Sequence, residues 1–515
     1  MLNKSALWLT MGTFGAIGFA NTSQAMSVEQ RMAAMEKKMA QMESQLKHAE
    51  AENQQLKSYL AGQAQPVQAA PVKQLEDKLS VISQRLETDK KAADEQAKKA
   101  PKIEVSNKGV VLKSADENYK LNIRGYAQAD SNFYADDAPV SAGEFDKFLI
   151  RRARLTFDGT LFKNVDFRIS PDLVPGSKGE IRLFDAFVDL HYFTAASLMA
   201  GKFRQPVSLE RMQSATNLTF IERAFPTELA PNRDVGFMLH GAFASPGYKA
   251  QYTPQPVFKE FIGYEVGVFN GVRDNQAVQN SDKETDNNKE VAARLFSHPF
   301  MHSGTAFEGL GMGVAGTWGQ PQNNPLSSLV SGGQQTILSY NSTATASGEQ
   351  YRIYPQMYWY WKTFGMLGEY VLSSQNLYSA GLNKHVIQNN EAWHFNVSYM
   401  LTGENNSFFA IKPNKRFDPA AGSWGAWQLA ARWSELNIDK STFQNIGSVA
   451  NPYSFASLSS SVRNAQSWAL GLNWYLNDNL KLMTNYEETV FIGGAAGNAD
   501  RTTEQAVFSR VQVAF

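Results

Sequence analysis

From Leu121 to the last residue, the dominant period of this chain is two. Leu121, Ile123, Gly125, Ala127 and Ala129 alternate with Asn122, Arg124, Tyr126, Gln128 and Asp130, the pattern of a strand with one apolar and one polar face. Sixteen such segments can be counted, at roughly 119–130, 148–161, 165–172, 181–192, 196–203, 234–244, 259–269, 290–298, 306–318, 351–362, 366–374, 391–402, 424–437, 465–476, 480–491 and 505–515. An even number returns both ends of the array to one side, so the connections sort into two sets. Phe162-Lys163-Asn164, Thr363-Phe364-Gly365 and Asn477-Asp478-Asn479 are tight turns on one side, and the long polar stretches near 131–147, 271–289, 319–350 and 438–464 fall on the other. Short turns, long loops and strands of about ten residues describe a bacterial outer-membrane barrel. The stretch 403–423 breaks the rule, being long but on the short-turn side. Either the count is off by two strands there or that connection is elaborated.

The competing fold is a large soluble β-protein, which would turn its apolar face inward. Two features favour the membrane barrel: the terminal Phe515 preceded by Val507, Val511 and Val513, and the run Tyr358-Trp359-Tyr360-Trp361, which suits an interfacial aromatic girdle. After the N-terminus no apolar run reaches the roughly 18 residues of a spanning helix. With the apolar members facing lipid, the opposite parity lines the lumen: Arg124, then Arg152, Arg154 and Asp158, then Asp166, Arg168 and Asp172. Arginine facing lipid would cost about 2–4 kcal/mol near the midplane, so parity and pore support each other. Arg151 has the wrong parity and is expected near the outer rim.

Ahead of the barrel the pattern is different. Residues 1–25 carry Lys4, an apolar run from Ala6 to Ala20 and the small-residue ending Ser23-Gln24-Ala25, the plan of a secretory signal peptide. Residues 26–62 hold a heptad seam at 28, 32, 35, 39, 42, 46 and 49, then Asn53, Leu56 and Leu60, which predicts a self-associating periplasmic coiled coil. Residues 63–100 read as a linker around Pro66 and Pro71 with a second, shorter seam at Leu75, Leu79, Ile82 and Leu86. The barrel domain is then 101–515.

One connection concentrates charge. Residues 201–233 separate two short alternating segments and carry Lys202, Arg204, Arg211, Arg223 and Arg233 beside Glu210, Glu222 and Glu228. By strand order this is the third long loop. A loop of about thirty residues is usually functional or disordered, and its Leu, Phe and Ile content argues against disorder. Folded into the lumen, its guanidiniums would form a positive constriction that attracts anions; as a surface loop, its Arg and Glu would pair with each other.

Several chemistries are excluded. There is no cysteine, and acids and bases balance at 49 each, so neither a thiol-ligated metal nor bulk affinity for nucleic acid is expected. His298 and His302 are four apart, but Pro299 and the strand pattern deny them a shared helical face, so no metal is expected. No Walker-type glycine loop and no persuasive nucleophile–histidine set is present; no enzyme activity and no cofactor are expected.

The stretches FLIRRARLTFDGTL (148–161), AGKFRQPVSLER (200–211), FIERA (220–224), LTGE (401–404), WGAWQLAARWSEL (424–436), GLNWYLNDNLKL (471–482) and the terminal SRVQVAF together resemble the phosphate-selective porins, the O and P type of outer-membrane porin. The resemblance runs from about Asn122 to Phe515. It implies a trimer of sixteen-stranded barrels in outer-membrane lipid, conducting inorganic anions such as phosphate along a ladder of arginines to a central site. Residue by residue, it places ladder arginines at Arg124 and the Arg151-Arg152 pair, with Arg154 in the same strand and Arg294 further on. It places the central bases at Arg211 and Arg223 and an acidic partner at Asp172. Type members carry lysine where Arg211 stands, and arginine adds bidentate geometry for phosphate or carboxylate. The stretch after strand eleven, 372–390, holds only Lys384 where phosphate-selective members are dense in bases. Three readings follow: an anion-preferring porin, a general low-selectivity porin of the same fold, and an envelope-tethering protein whose coil contacts cell wall or a periplasmic partner while the barrel anchors it.

Overall fold

The computed structural model describes residues 70–515 except 136–144, 175–180, 248, 250–259 and 276–286, together with scattered helical positions between 37 and 58. The signal-peptide reading and the seam of the first coil lie outside the described residues. Residues 1–100 and 101–515 form two separate compact units. In the first, helix α1 (Ala70–Lys99) spans the second heptad seam, and Leu79, Ile82 and Leu86 are its less exposed positions.

The second unit is a closed antiparallel barrel. Its strands are β1 (Lys120–Tyr134), β2 (Lys147–Leu161), β3 (Val165–Asp172), β4 (Arg182–Phe193), β5 (Ala196–Arg204), β6 (Arg233–Phe243), β7 (Ile262–Phe269), β8 (Glu290–Ser297), β9 (Leu310–Gly319), β10 (Ala344–Trp361), β11 (Phe364–Ser379), β12 (Lys384–Met400), β13 (Ala426–Asn437), β14 (Val462–Tyr475), β15 (Leu480–Ala495) and β16 (Glu504–Ala514). Each pairs with its sequence neighbour. Strand β16 then pairs with β1 from Ala506↔Tyr134 to Ala514↔Tyr126. Closure removes the edges that an open sheet would leave unpaired, and Phe515 completes it by exchanging both backbone hydrogen bonds with Gly125 at 2.9 Å. A short hairpin, Lys102–Ser106 with Gly109–Lys113, precedes β1 and pairs with its start.

The barrel is inside-out relative to a soluble protein. Ile150, Ile169, Val188, Phe237, Leu295, Ile353, Leu429 and Val511 face outward and are exposed, whereas Gln128, Asp130, Asp189, Glu265, Arg352, Asn473 and Arg510 are buried toward the interior. That is the alternation a lipid-facing barrel requires. The aromatic run of β10 obeys it: Trp359 and Trp361 stack on the outside (centroids 6.4 Å), while Tyr358 is buried inside.

One connection differs from its sequence reading, and a second decides between the two alternatives that reading left open. The stretch 372–390 is mostly strand, because β11 runs to Ser379 and β12 begins at Lys384. Its polar residues Ser373, Gln375, Gln388 and Asn390 are buried on the lumen side, so their polarity marked an interior wall, not a loop. The stretch 403–423 is the elaborated connection, and the strand count holds. It turns into the barrel: Asn406 Nδ2 donates to Ser398 Oγ at 2.8 Å, and the Phe408 ring stacks on Tyr358 at 5.0 Å.

Candidate functional site

The third long loop, residues 205–232, folds into the lumen. Ser208, in the left-handed region at φ 52°, starts a short helix at Leu209–Met212, and Pro226 seats a 3-10 turn at Phe225–Leu229. Leu209, Met212, Phe220, Ile221, Phe225 and Leu229 are buried. In open solvent those side chains would each forfeit on the order of 1.5–3 kcal/mol of burial, which is why the loop turns inward. Leu209 and Met212 pack with Phe296, Tyr358, Leu367 and Phe408, and Ile221 with Met483 and Phe508.

The wall also satisfies the loop backbone from several directions. Leu209 N donates to Glu369 on β11 at 2.6 Å, Phe225 N to Ser434 on β13 at 3.2 Å and Ile221 N to Asn485 on β15 at 2.7 Å. Gln128 on β1, Asn473 on β14 and Lys481 on β15 donate to the carbonyls of Ala215, Thr219 and Leu218. Contacts to β1, β11, β13, β14 and β15 from one loop mean that it crosses the barrel interior.

On the long-loop side, Arg151, Arg152, Arg211, Arg223, Glu222 and Glu228 surround a cavity of about 60 Å³. Arg151 reaches it because the β1–β2 register slips between Gln128 and Ala129. This bulge turns two successive arginines inward, so the wrong parity of Arg151 has a local cause and not the rim position expected. Glu222 joins them, with Arg151 Nε at 2.7 Å, Arg510 at 3.3 Å and Arg152 at 3.8 Å. Burial works against its charge, but Arg151 and then Arg152 outweigh it and hold the Glu222 carboxyl below the usual range. Burial pushes Glu228 up to about 7, against the pull of Arg211; Asn275 Nδ2 donates to it at 2.8 Å.

Among the described residues the two loop arginines make no ion pair as close as these, although Glu228 and Glu210 act on Arg211 from nearby. Arg223 donates to the carbonyls of Glu210 (3.0 Å) and Gln213 (2.9 Å). Arg211 donates to the carbonyl of Thr227 and to Asn275 Oδ1 (2.9 Å), and its buried Nε has no partner among the described residues. Burial pushes both guanidiniums below their ordinary value, and for Arg223 the neighbouring Arg211, Arg152 and Arg204 add to the push.

On the short-turn side lies a larger cavity of about 320 Å³, lined by Arg124, Arg154, Arg168, Arg204, Arg233 and Asp185 among others. Here wall carboxylates stand behind the bases: Arg124–Asp158 at 2.6 Å, Arg154–Asp172 at 2.8 Å and Arg233–Asp185 at 3.2 Å. Arg204 donates instead to the carbonyls of Met212 (2.5 Å) and Gln213 (3.4 Å). Arg204 and Arg223 thus meet at one carbonyl, that of Gln213, from the two sides of the loop.

The structure brings Arg151, Arg152, Arg211 and Arg223 together and puts Arg124 and Arg154 in the adjoining chamber. It does not bring Asp172 to Arg211, since Asp172 pairs with Arg154. Arg294 faces inward but is buried against Glu265 (3.0 Å) and the Phe296 ring (4.5 Å), lining neither cavity. Sequence reading missed Glu222 as the hub, and it missed Arg432 and Arg510. Arg432 donates to the carbonyl of Glu222 (2.8 Å), and Arg510 grips Asp130 (2.7 and 2.6 Å) and the carbonyl of Ile221. Strand parity could have found both arginines, which alternate with the outward Leu429, Trp433, Val507 and Val511.

The sequence profile described as "Phosphate-selective porin O and P" matches residues 121–515, the whole barrel. The chain belongs to the phosphate-selective porin O and P family. It is an outer-membrane porin channel. Porin O of Pseudomonas aeruginosa is 22% identical over 399 residues, covering 73% of this chain and 84% of that one. Among solved structures, this porin is similar to the outer membrane channel DcaP of Acinetobacter baumannii (11% identity, 78% of this chain, 99% of that chain, TM-score 0.45). It is likewise similar to the anion-selective porin from Comamonas acidovorans (10% identity, 77% of this chain, 100% of that chain, TM-score 0.45).

Proposed function

We propose that this porin is a passive diffusion channel preferring anions of the phosphate class, with its selectivity set where the third loop brings Arg211 and Arg223 beside Arg151 and Arg152. The observation that carries the proposal is the way these bases are satisfied. Arg204, Arg211 and Arg223 lean on carbonyl and amide oxygens, which use their N–H groups without cancelling their charge. A hydrated passage past uncancelled guanidiniums has a positive potential and draws anions. Arginine also offers an oxyanion two parallel donors. The bases on the short-turn side act as the approach ladder.

Passage of this kind needs no catalysis. In the same reading the porin is a homotrimer, with its N-terminal coil in the periplasm; the heptad seam at 28–60 supports self-association.

Planar-bilayer recording tests the reading. Under a salt gradient the reversal potential should lie on the anion side, and added phosphate should reduce the chloride current. A cation-leaning reversal potential with no phosphate effect would leave a general porin, and absence of any channel would leave the tethering role.

A further inference from the structure

We infer that Glu210, Glu369 and His394 form a binding site for a divalent transition metal of the zinc class, which fastens the third loop to the barrel wall. The three residues come from three elements: Glu210 from the loop's short helix, Glu369 from β11 and His394 from β12. All are buried, and one ligand atom from each lies within 4.8 Å of the others. The inference does not depend on which solute the pore conducts.

The second observation is the imidazole. His394 has a fully buried side chain, and among the described residues neither of its ring nitrogens has a hydrogen-bond partner. An orphaned buried polar atom costs about 1–3 kcal/mol. Nε2 lies 3.4 Å from Glu369 Oε1 without forming a hydrogen bond. Ligands bound at about 2.1 Å in a tetrahedron stand about 3.4 Å apart, so this separation suits two ligands of one ion. His298 is the contrast. Its Nε2 meets the Tyr358 hydroxyl and its Nδ1 the Glu260 carbonyl, each at 2.7 Å, and nothing there calls for an ion.

The carboxylates are already oriented. Glu369 Oε2 accepts from Leu209 N (2.6 Å), and Oε1 accepts from Ser208 Oγ (3.1 Å) and Glu210 N (3.3 Å). Glu210 Oε2 accepts from Ala224 N (2.7 Å). Such outer hydrogen bonds are how proteins aim metal ligands. Yet the cations around them keep their distance. Among the described residues, Arg432 approaches Glu210 only to 4.0 Å, and no lysine or arginine comes within 4.0 Å of Glu369. Two buried carboxylates whose counter-charges stand 4.0 Å away or more are costly, and a dication between them and a neutral imidazole reduces that cost. One imidazole with two carboxylates is a mixed N/O set, which suits zinc and its neighbours better than calcium or magnesium.

The full-length porin, purified in detergent and stripped with chelator, would be dialysed against micromolar zinc chloride and its metal content measured per chain. Wild type should hold about one zinc ion per chain more than His394→Gln or Glu210→Gln, with all three retaining the heat-resistant mobility of a closed barrel. Because a variant could disturb the loop, stripped wild type would also be titrated with cobalt(II) chloride, and visible d–d absorption should saturate at about one equivalent. Equal zinc content in wild type and variants overturns the inference. So does absence of cobalt absorption, which would leave His394 as a buried packing residue.

Discussion

The chambers on the two sides of the third loop are both lined with arginine, and they differ in what stands behind the guanidiniums. In the short-turn chamber the wall supplies Asp158, Asp172 and Asp185 to Arg124, Arg154 and Arg233. These pairs hold their bases in position but cancel much of their charge at a distance. In the long-loop chamber one carboxylate, Glu222, serves Arg151, Arg152 and Arg510, while Arg211 and Arg223 rest on neutral oxygens. Pairing suits a surface that passes anions along, and uncancelled charge suits the place that discriminates among them.

The hardest test of this contrast removes the uncancelled charges. A unit charge about 5 Å from a permeating ion in water is worth about 0.8 kcal/mol, or roughly fourfold. The double variant Arg211→Ala/Arg223→Ala should therefore cut the anion-to-cation permeability ratio by about fifteenfold or more, read from the reversal potential. Both side chains bond within the loop, so circular dichroism and heat-modified mobility should accompany the recording. A folded variant with unchanged selectivity would remove the long-loop chamber as the selective point.

A smaller effect comes from pH. Burial raises the Glu228 carboxyl to about 7, so the sign is fixed. Below that pH it gains a proton, its negative charge vanishes and the long-loop chamber becomes more positive; above it the reverse holds. Anion preference should rise about twofold between pH 8 and pH 6, less than a full unit charge because Arg211 and Asn275 share the site. Glu228→Gln should fix selectivity at its low-pH value and flatten the profile. A profile that keeps its slope in that variant would point to another titrating group.

How much of this was legible in the sequence depends on which period carries the information. Strand parity placed Arg124, Arg152 and Arg154 in the lumen correctly, because a period of two leaves only two faces. It would equally have placed Arg432 and Arg510. It failed at Arg151, where a single bulged residue changes the face and no side chain announces it. The loops were less readable. The apolar content of 205–232 indicated an inward fold, but not that Glu222 would gather three arginines from β2 and β16. Nor did it show that residues 330–334 of another loop would close over the same cavity. Gly332 allows that approach: a Cβ there would lie 2.1 Å from Glu487 Oε1. Such contacts join residues hundreds of positions apart, and local pattern does not encode them.

Asp172 offers the mildest and most discriminating test of the two-chamber contrast. The family resemblance casts it as the acidic partner of the central bases, whereas its contact is with Arg154 at 2.8 Å, and the Phe184 ring covers the same guanidinium at 3.4 Å. If the contrast holds, Asp172→Asn frees one charge in a chamber where Arg124 and Arg233 remain paired. Arg154 keeps its ring contact, and the asparagine oxygen can still accept its Nε–H. Conductance at low salt should then rise by less than about twofold, and the concentration of phosphate that half-blocks chloride current should hardly move. A shift in phosphate block as large as that produced by removing Arg211 would mean that the two chambers act as one continuous site. The carboxylate behind Arg154 would then govern binding across the loop through the chain of guanidiniums from Arg204 to Arg223.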